Sequence, residues 1–401
     1  MKILFQPFIV LIILYSYAAI NFQEIFGASY KIVEYFTYGI RAIVTIISLI
    51  FILFLIVNKR LNDTISKFFL VISLYLFLII YSSLITGNLT VDILLKNFFA
   101  FGLYVYTILG CFNLQKFLKS IYVFFLSILI FNLIFYFFVP DIGVYTIDEN
   151  GVPLIKGILT NRNSVIYYTI PLIVLSYLIK KKMNQPFMFI VNIIAVITAF
   201  LTGSDTAIVS ITVLVLLLLL HKNFKLRITA YLAITFTASI ILVLINTKSD
   251  ILSYIIVDLL GSDKSMSGRD LIWDKTLDSI TLQYLFLGWG IGSNTIAEAM
   301  NYATATNGNP INDPFNGLLN LLFFNGIIGL IFFLSILLII AKKLNYLQNK
   351  LKDVRYVIIL YLTFIVVSYS ESVFVFTNFT FWIFIIIGWM FYFKYKIQFL
   401  Q

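Results

Sequence analysis

Two arginines stand out among the residues of this 401-residue sequence that can do chemistry. Arg269 lies in Ser267-Gly-Arg-Asp270, an S-x-x-D pattern that marks a helix start. A cation there opposes the helix macrodipole, and it makes sense if an anion lies close, since helix N-termini and guanidinium groups both bind phosphate. A salt bridge to Asp270 or Asp274 accounts for it as well. Arg162, in Thr160-Asn-Arg-Asn163, stands where a polar loop meets an apolar helix. Charge at membrane depth is costly and tends to be functional, although an arginine near a helix end can instead snorkel to headgroups. Arg41 suits that snorkelling role. Gly288-Trp-Gly-Ile-Gly292 has no βαβ unit around it and is not a dinucleotide fingerprint. Its backbone N–H groups can approach an oxyanion, or it simply makes a tight turn back into the membrane. Asp205, Asp313 and Glu371 stand at helix ends on one side of the membrane. Each is a candidate base and equally a candidate helix cap or solvated acid. The single His221 and single Cys111 exclude multi-histidine metal sites, thiolate clusters and intramolecular disulfides.

The elements that position these residues follow from composition. Hydrophobic residues make up 61% of the chain and charged residues 11%, with a mean hydropathy of +1.01. A soluble domain carries about a quarter charged residues, so this much apolar surface needs lipid. A spanning helix takes about 20 apolar residues. Segments meeting that requirement are 3–20, 38–57, 65–86, 93–112, 118–139, 164–180, 187–203, 205–220, 228–246, 315–341, 356–372 and 374–393. The nearly continuous run 187–220 is broken by Leu201-Thr-Gly-Ser-Asp-Thr206, which reads as a hairpin. Met1–Ile20 has a basic start and an apolar run without a small-x-small cleavage pattern, and reads as a retained first span.

Charge orients the bundle. With the N-terminus inside, 19 of the 28 Lys and Arg fall on the inner side and 16 of the 18 acids on the outer side, as the positive-inside rule requires. The net charge of +10 is therefore topological and does not indicate nucleic acid. His221 then sits at an inner helix end, away from the outer residues named above. Inner loops are short. The outer side has a loop at 140–163 and a large one at 247–314. The large loop holds an apolar stretch, Ile251–Leu260, and an amphipathic helix over 268–282 whose Trp273, Leu277 and Ile280 form one stripe. The fold class is an all-α membrane protein of about twelve transmembrane helices, a single polytopic domain over 1–401 with a large extracytoplasmic loop containing short amphipathic helices. No internal repeat or low-complexity segment is visible.

Four segments, in order, resemble the O-antigen polymerase and O-antigen ligase superfamily of bacterial surface polysaccharide assembly. Gly157-Ile-Leu-Thr-Asn-Arg-Asn163 is similar to a G-x-(F/L)-x-N-x-N stretch, and Leu201-Thr-Gly-Ser-Asp205 to an L-T-x-S-R turn. Ser267-Gly-Arg269, Trp273 and Leu287-Gly-Trp-Gly-Ile-Gly-Ser293 resemble an S-G-R…W…G-x-G-x-G signature. Asp313-Pro-Phe-Asn-Gly317 followed by Asn325-Gly-Ile-Ile-Gly329 resembles D-P-H-N-x…G-x-x-G. The likeness covers 157–340. The family's turn arginine is Asp205 here, and the histidine that serves as the favoured base in the ligase branch falls on Phe315.

The resemblance implies a glycosyltransferase at the outer face of the cytoplasmic membrane, in which the charge pattern over twelve spans places both termini on the cytoplasmic side. It would join polyprenyl-pyrophosphate-linked oligosaccharide repeat units of a capsule, O-antigen or exopolysaccharide. Arg269 would be catalytic; with Phe315 at the base position, a nearby carboxylate accepts the proton or no strong base is needed, and Asp313, two residues from Phe315, is the catalytic carboxylate chosen. Arg162, Asn163, Arg269, Gly290, Gly292 and Asn316 would bind substrate. No metal or cofactor is implied. Membrane lipid, a chain-length regulator and a flippase are the expected partners. A ligase shares this site and differs in its acceptor. A flippase or transporter of lipid-linked sugars suits the span count, but would place charges near the midplane and often repeat its halves. A non-enzymatic scaffold is a more distant reading.

Overall fold

A computed structural model describes residues 7–58, 63–110, 113–147, 151–179, 184–220, 237, 269–291, 314–348, 351 and 353–400, with backbone alone at 63–65, 269–271 and 390–400. Cys111, His221, Ser267, Gly292, Asp313, nearly all of the segment 228–246 and most of the loop 247–314 lie outside this description.

The helices are α1 (Pro7–Tyr17), α2 (Phe22–Phe26), α3 (Tyr30–Val57), α4 (Asp63–Ile85), α5 (Val91–Gly110), α6 (Leu114–Phe138) and the short α7 (Pro140–Gly143). Next come α8 (Ile166–Ile179), α9 (Gln185–Phe200), α10 (Asp205–Leu220), α11 (Arg269–Ser279), α12 (Leu282–Leu285), α13 (Gly317–Gln348), α14 (Val354–Val367) and α15 (Phe379–Leu400). Among the described residues, six helical stretches are long and apolar enough to cross a membrane: Phe22–Val57, Ser66–Ile85, Val91–Gly110, Leu114–Phe138, Arg162–Ile179 and Gly317–Gln348. Five further apolar helices among the described residues are shorter, with 10–17 residues. Side chains such as Ile32, Val57 and Phe138 turn outward and exposed, which is stable only where lipid covers them. The chain is an integral membrane protein of α-helices.

Packing pairs α1 with α6, α3 with α5, α6 with α8, α4 with α13, α5 with α15, and α10 with α14. An aromatic group knits the centre: Tyr75, Tyr104, Phe333, Phe376 and Trp382 meet at ring separations of 5.1–6.3 Å.

The loop 140–163 carries the one sheet among the described residues. Strand β1 (Val144–Ile147) pairs antiparallel with β2 (Pro153–Ile155). Farther along, Ile20 bridges Leu159, and the Lys156 ammonium meets the Glu24 carboxylate at 2.6 Å. These contacts tie the loop to the end of α1 and to α2.

The structure departs from the expected spans most clearly at 356–372 and 374–393. Helix α14 stops at Val367 and α15 starts at Phe379, leaving 368–378 irregular. Ser368 through Ser372 supply polar groups that bond to other segments. A second interruption lies inside α13, where Gly326 adopts φ 61° and ψ −170°. The break frees backbone groups that lipid cannot satisfy. The stretch 286–291 satisfies them: Trp289 N–H donates to Phe323 O (2.8 Å), Gly290 N–H to Phe324 O (3.0 Å), and Ile328 N–H to Phe286 O (3.2 Å). The approach is close enough that a Cβ on Gly288 would lie 2.4 Å from the Phe324 carbonyl carbon.

Candidate functional site

The irregular bend after α14 gathers the motif segments. Ser368 O accepts from Gly317 N–H at 2.7 Å, and Tyr369 O from Asn316 Nδ2 at 2.8 Å. The hydroxyls of Ser370 and Thr206 are 2.6 Å apart. Glu371 Oε1 accepts from Asn163 Nδ2 at 2.6 Å, and Ser372 Oγ accepts from Asn320 Nδ2 at 3.2 Å. Consecutive residues thus hold the start of α13, the hairpin 201–206 and the turn that precedes α8. Sequence reasoning singled out Glu371 alone from this bend. The signal for the rest is the polar run Tyr369-Ser-Glu-Ser372 between two apolar helices.

Arg162 and Asn163 sit in a 3-10 turn, Arg162–Val165, whose preceding residue Asn161 accepts from Asn163 N–H at 3.2 Å. The Arg162 guanidinium reaches across to the hairpin, donating to Gly203 O at 3.3 Å, and lies 5.3 Å from the Tyr145 ring centroid on β1. Asn163 Oδ1 is buried without a hydrogen-bond partner. Thr202 Oγ1 accepts from Ser204 N–H (3.2 Å) within the hairpin, and Ile155 N–H donates to Leu201 O (2.9 Å), which binds the hairpin to β2. Asp205 is exposed as the first residue of α10, where an acid complements the helix dipole.

Helix α11 arrives from the other side. Its Trp273 is fully buried, donates from Nε1 to Pro314 O at 2.8 Å, and meets the Tyr369 ring edge-on at 5.7 Å. Leu277 and Ile280 pack in the same cluster with Leu319, so the stripe read over 268–282 is the face that docks. Arg269 opens α11; its side chain is outside the description, as are Asp313 and Gly292.

Two of the expected substrate contacts have partners within the fold. Asn316 is completely buried, and its Oδ1 accepts from Leu318 N–H (3.1 Å) and Leu319 N–H (3.0 Å). That is the geometry of an N-cap, and its Nδ2 is engaged by Tyr369 O. Gly290 does not present its N–H to an oxyanion, because Phe324 O takes it, while Ile291 N–H goes to Ser83 Oγ at 2.8 Å. The Gly-Trp-Gly turn is a clasp on the broken helix, held further by Asn88 Nδ2 on Trp289 O at 2.7 Å. Trp289 stacks on Tyr284 at 3.7 Å and donates from Nε1 to Ser279 O at 3.1 Å.

Phe315 takes a left-handed backbone, φ 50°, unusual for a bulky residue. Its neighbours fix it there: Pro314 O is held by Trp273, and Asn316 caps α13. Its ring packs with Ile272, Phe323 and Phe324. The Arg41 side chain is held by α1 and by its own helix. Its Nε donates to Ser16 O at 2.7 Å, and its guanidinium lies over Tyr17 and Tyr38.

The bend therefore brings together Asn163, Arg162, the hairpin, α11 and the start of α13, which are the segments that carry the family likeness. Residues 190–334 match the family model described as O-Antigen ligase. No curated protein matches the chain. That match takes in three of the four motif segments, and over it the chain is similar to that family.

Proposed function

We propose that this protein is a polymerase that joins polyprenyl-pyrophosphate-linked oligosaccharide repeat units at the outer face of the cytoplasmic membrane, building a capsule, O-antigen or exopolysaccharide. The observation that carries the reading is the convergence of the Arg162–Asn163 turn, the hairpin and α11 on residues 369–372 at one end of a membrane bundle.

In the reaction, the hydroxyl oxygen of one repeat unit attacks the anomeric carbon of the other glycan. The bond from that carbon to the pyrophosphate oxygen breaks, and its electron pair leaves with polyprenyl pyrophosphate. Arg162 and Arg269 stabilise the charge that develops on the leaving group, so the chemistry requires no metal. Asp313, beside the tethered Pro314, accepts the hydroxyl proton. Asn163 and Gly292 contact substrate, and the unpartnered Asn163 Oδ1 offers an acceptor to a sugar hydroxyl. A chain-length regulator and a flippase work alongside the polymerase.

The family description over 190–334 favours a second reading, a ligase that moves a finished glycan to another acceptor. Purified protein in liposomes with the lipid-linked repeat unit separates the readings. A ladder of repeat multiples supports the polymerase. Transfer only to a non-identical acceptor supports the ligase. Movement of the donor across the bilayer without a new glycosidic bond supports a flippase.

A further inference from the structure

We infer that Glu371 is the positioning residue that sets the Arg162 guanidinium in place, acting through Asn163. The inference rests on the reading that Arg162 binds the pyrophosphate. Glu371 is 8% exposed, so its carboxylate is costly to bury unless donors meet it. Asn163 Nδ2 is one such donor, at 2.6 Å. A charge-assisted bond of this kind is stronger and more directional than one between neutral groups.

The carboxylate is itself held in a fixed frame. Glu371 N–H donates to Val367 O at 3.0 Å, and Val373 N–H returns to Glu371 O at 2.8 Å. On either side, Tyr369 O is bound by the cap residue Asn316 and Ser372 Oγ by Asn320. The turn on the far side of the bond is only four residues long, Arg162–Val165. A side-chain anchor at Asn163 therefore fixes the direction of its neighbour Arg162. The hairpin that receives the guanidinium is tethered to the same bend, through Thr206 and Ser370. Adjacent residues 370 and 371 thus hold both the turn that carries Arg162 and the hairpin that receives its guanidinium, and loss of the Glu371 bond frees the turn while leaving the hairpin tethered.

The test is a polarity swap with two readouts. Glu371→Gln keeps an acceptor oxygen for Asn163 Nδ2, whereas Glu371→Ala removes it. Asn163→Asp puts a second carboxylate against Glu371, and the double variant N163D/E371Q restores a donor–acceptor pair of reversed polarity. Expected rates of product formation fall about tenfold to a hundredfold in Glu371→Ala and Asn163→Asp, the range of one charge-assisted bond. Glu371→Gln loses far less, keeps the acidic limb of the wild-type pH profile, and rescues Asn163→Asp. The second readout uses no donor: phenylglyoxal modification of Arg162, followed by mass spectrometry with Arg355 as the internal reference. Modification rises in Glu371→Ala and Asn163→Asp and returns towards wild type in the double variant. Failure of the double variant to recover in both readouts, while it stays monodisperse in detergent, overturns the inference. So does a Glu371→Gln variant as inactive as Glu371→Ala that has lost the acidic limb, since that is the signature of a proton acceptor. A wild-type protein inactive on the lipid-linked donor, with the phenylglyoxal pattern intact, counts against the polymerase reading alone.

Discussion

The amide of Asn163 and the carboxylate of Glu371 meet at 2.6 Å although they are 208 residues apart in the chain. The bond joins the turn before α8 to the bend after α14, across the segment that matches the family model. It explains why a short polar run between two apolar helices does not continue either helix. Groups of this run hydrogen-bond instead to three other motifs.

Orientation is checked by labelling. With Cys111 replaced, a membrane-impermeant thiol reagent added outside intact cells should modify Lys264→Cys and not Lys350→Cys. The opposite pattern would place the large loop 247–314 inside and remove it from any outer-face reaction.

Charge removal at either arginine should abolish product while leaving protein levels intact. Losing one preorganised donor to a developing anion costs about 10²–10³ in rate. Arg269→Lys should be nearly as poor as Arg269→Ala, because an ammonium lacks the guanidinium fork. Rates from both alanine variants close to wild type would remove the pyrophosphate assignment.

Asp313→Asn tests the proton acceptor. Loss of a general base costs about 10²–10⁴, large enough to read as missing polymer. The variant must first elute from detergent gel filtration like wild type. Unchanged polymer length and amount would clear Asp313 from the mechanism, leaving Asp205 and Glu371 as the next carboxylates to try.

Asn316 separates a cap from a ligand. Asn316→Ala should lower stability by about 0.5–2 kcal/mol, the usual cost of an N-cap, with a further loss from the Tyr369 carbonyl left without its donor. Asn316→Asp keeps the cap acceptor and should recover much of the thermal midpoint. A variant with full stability and no activity would instead return Asn316 to the substrate.

Gly288→Ala probes the clasp on the broken helix. Its φ is 74°, and the added Cβ would lie 2.6 Å from Asn325 N. An alanine in a left-handed position with no room destabilises by more than about 1 kcal/mol. The expected result is a lower unfolding temperature in detergent without any ligand present. An unshifted midpoint would mean that the 286–291 stretch does not bear on α13 as described.

Much of the helical frame was legible because lipid imposes one strong pattern, long apolar runs punctuated by charge. The amphipathic face of α11 was legible for a related reason, since Trp273 and Leu277 fall one turn apart. The bend at 368–378 was not. Serine, tyrosine and asparagine sit easily within or beside apolar helices, and only their partners in space reveal that they stop one. The glycines at 288 and 290 were visible as a turn, but periodicity cannot say whether their N–H groups meet a ligand or the gap at Gly326. The fates of Asn316 and Gly290 were hidden for the same reason, because capping and ligand binding draw on the same residue types.

The bend after α14 also has a consequence in time. Residues 369–372 follow every other segment they tether in the order of synthesis. The turn at 162–163, the hairpin, α11 and the start of α13 all leave the ribosome before the groups that hold them in place. Until α14 and the bend have been inserted, Arg162 has no anchor from Glu371 and the start of α13 has no partner for Asn316. The nascent protein therefore inserts all of these earlier segments with its cationic turn still unassembled.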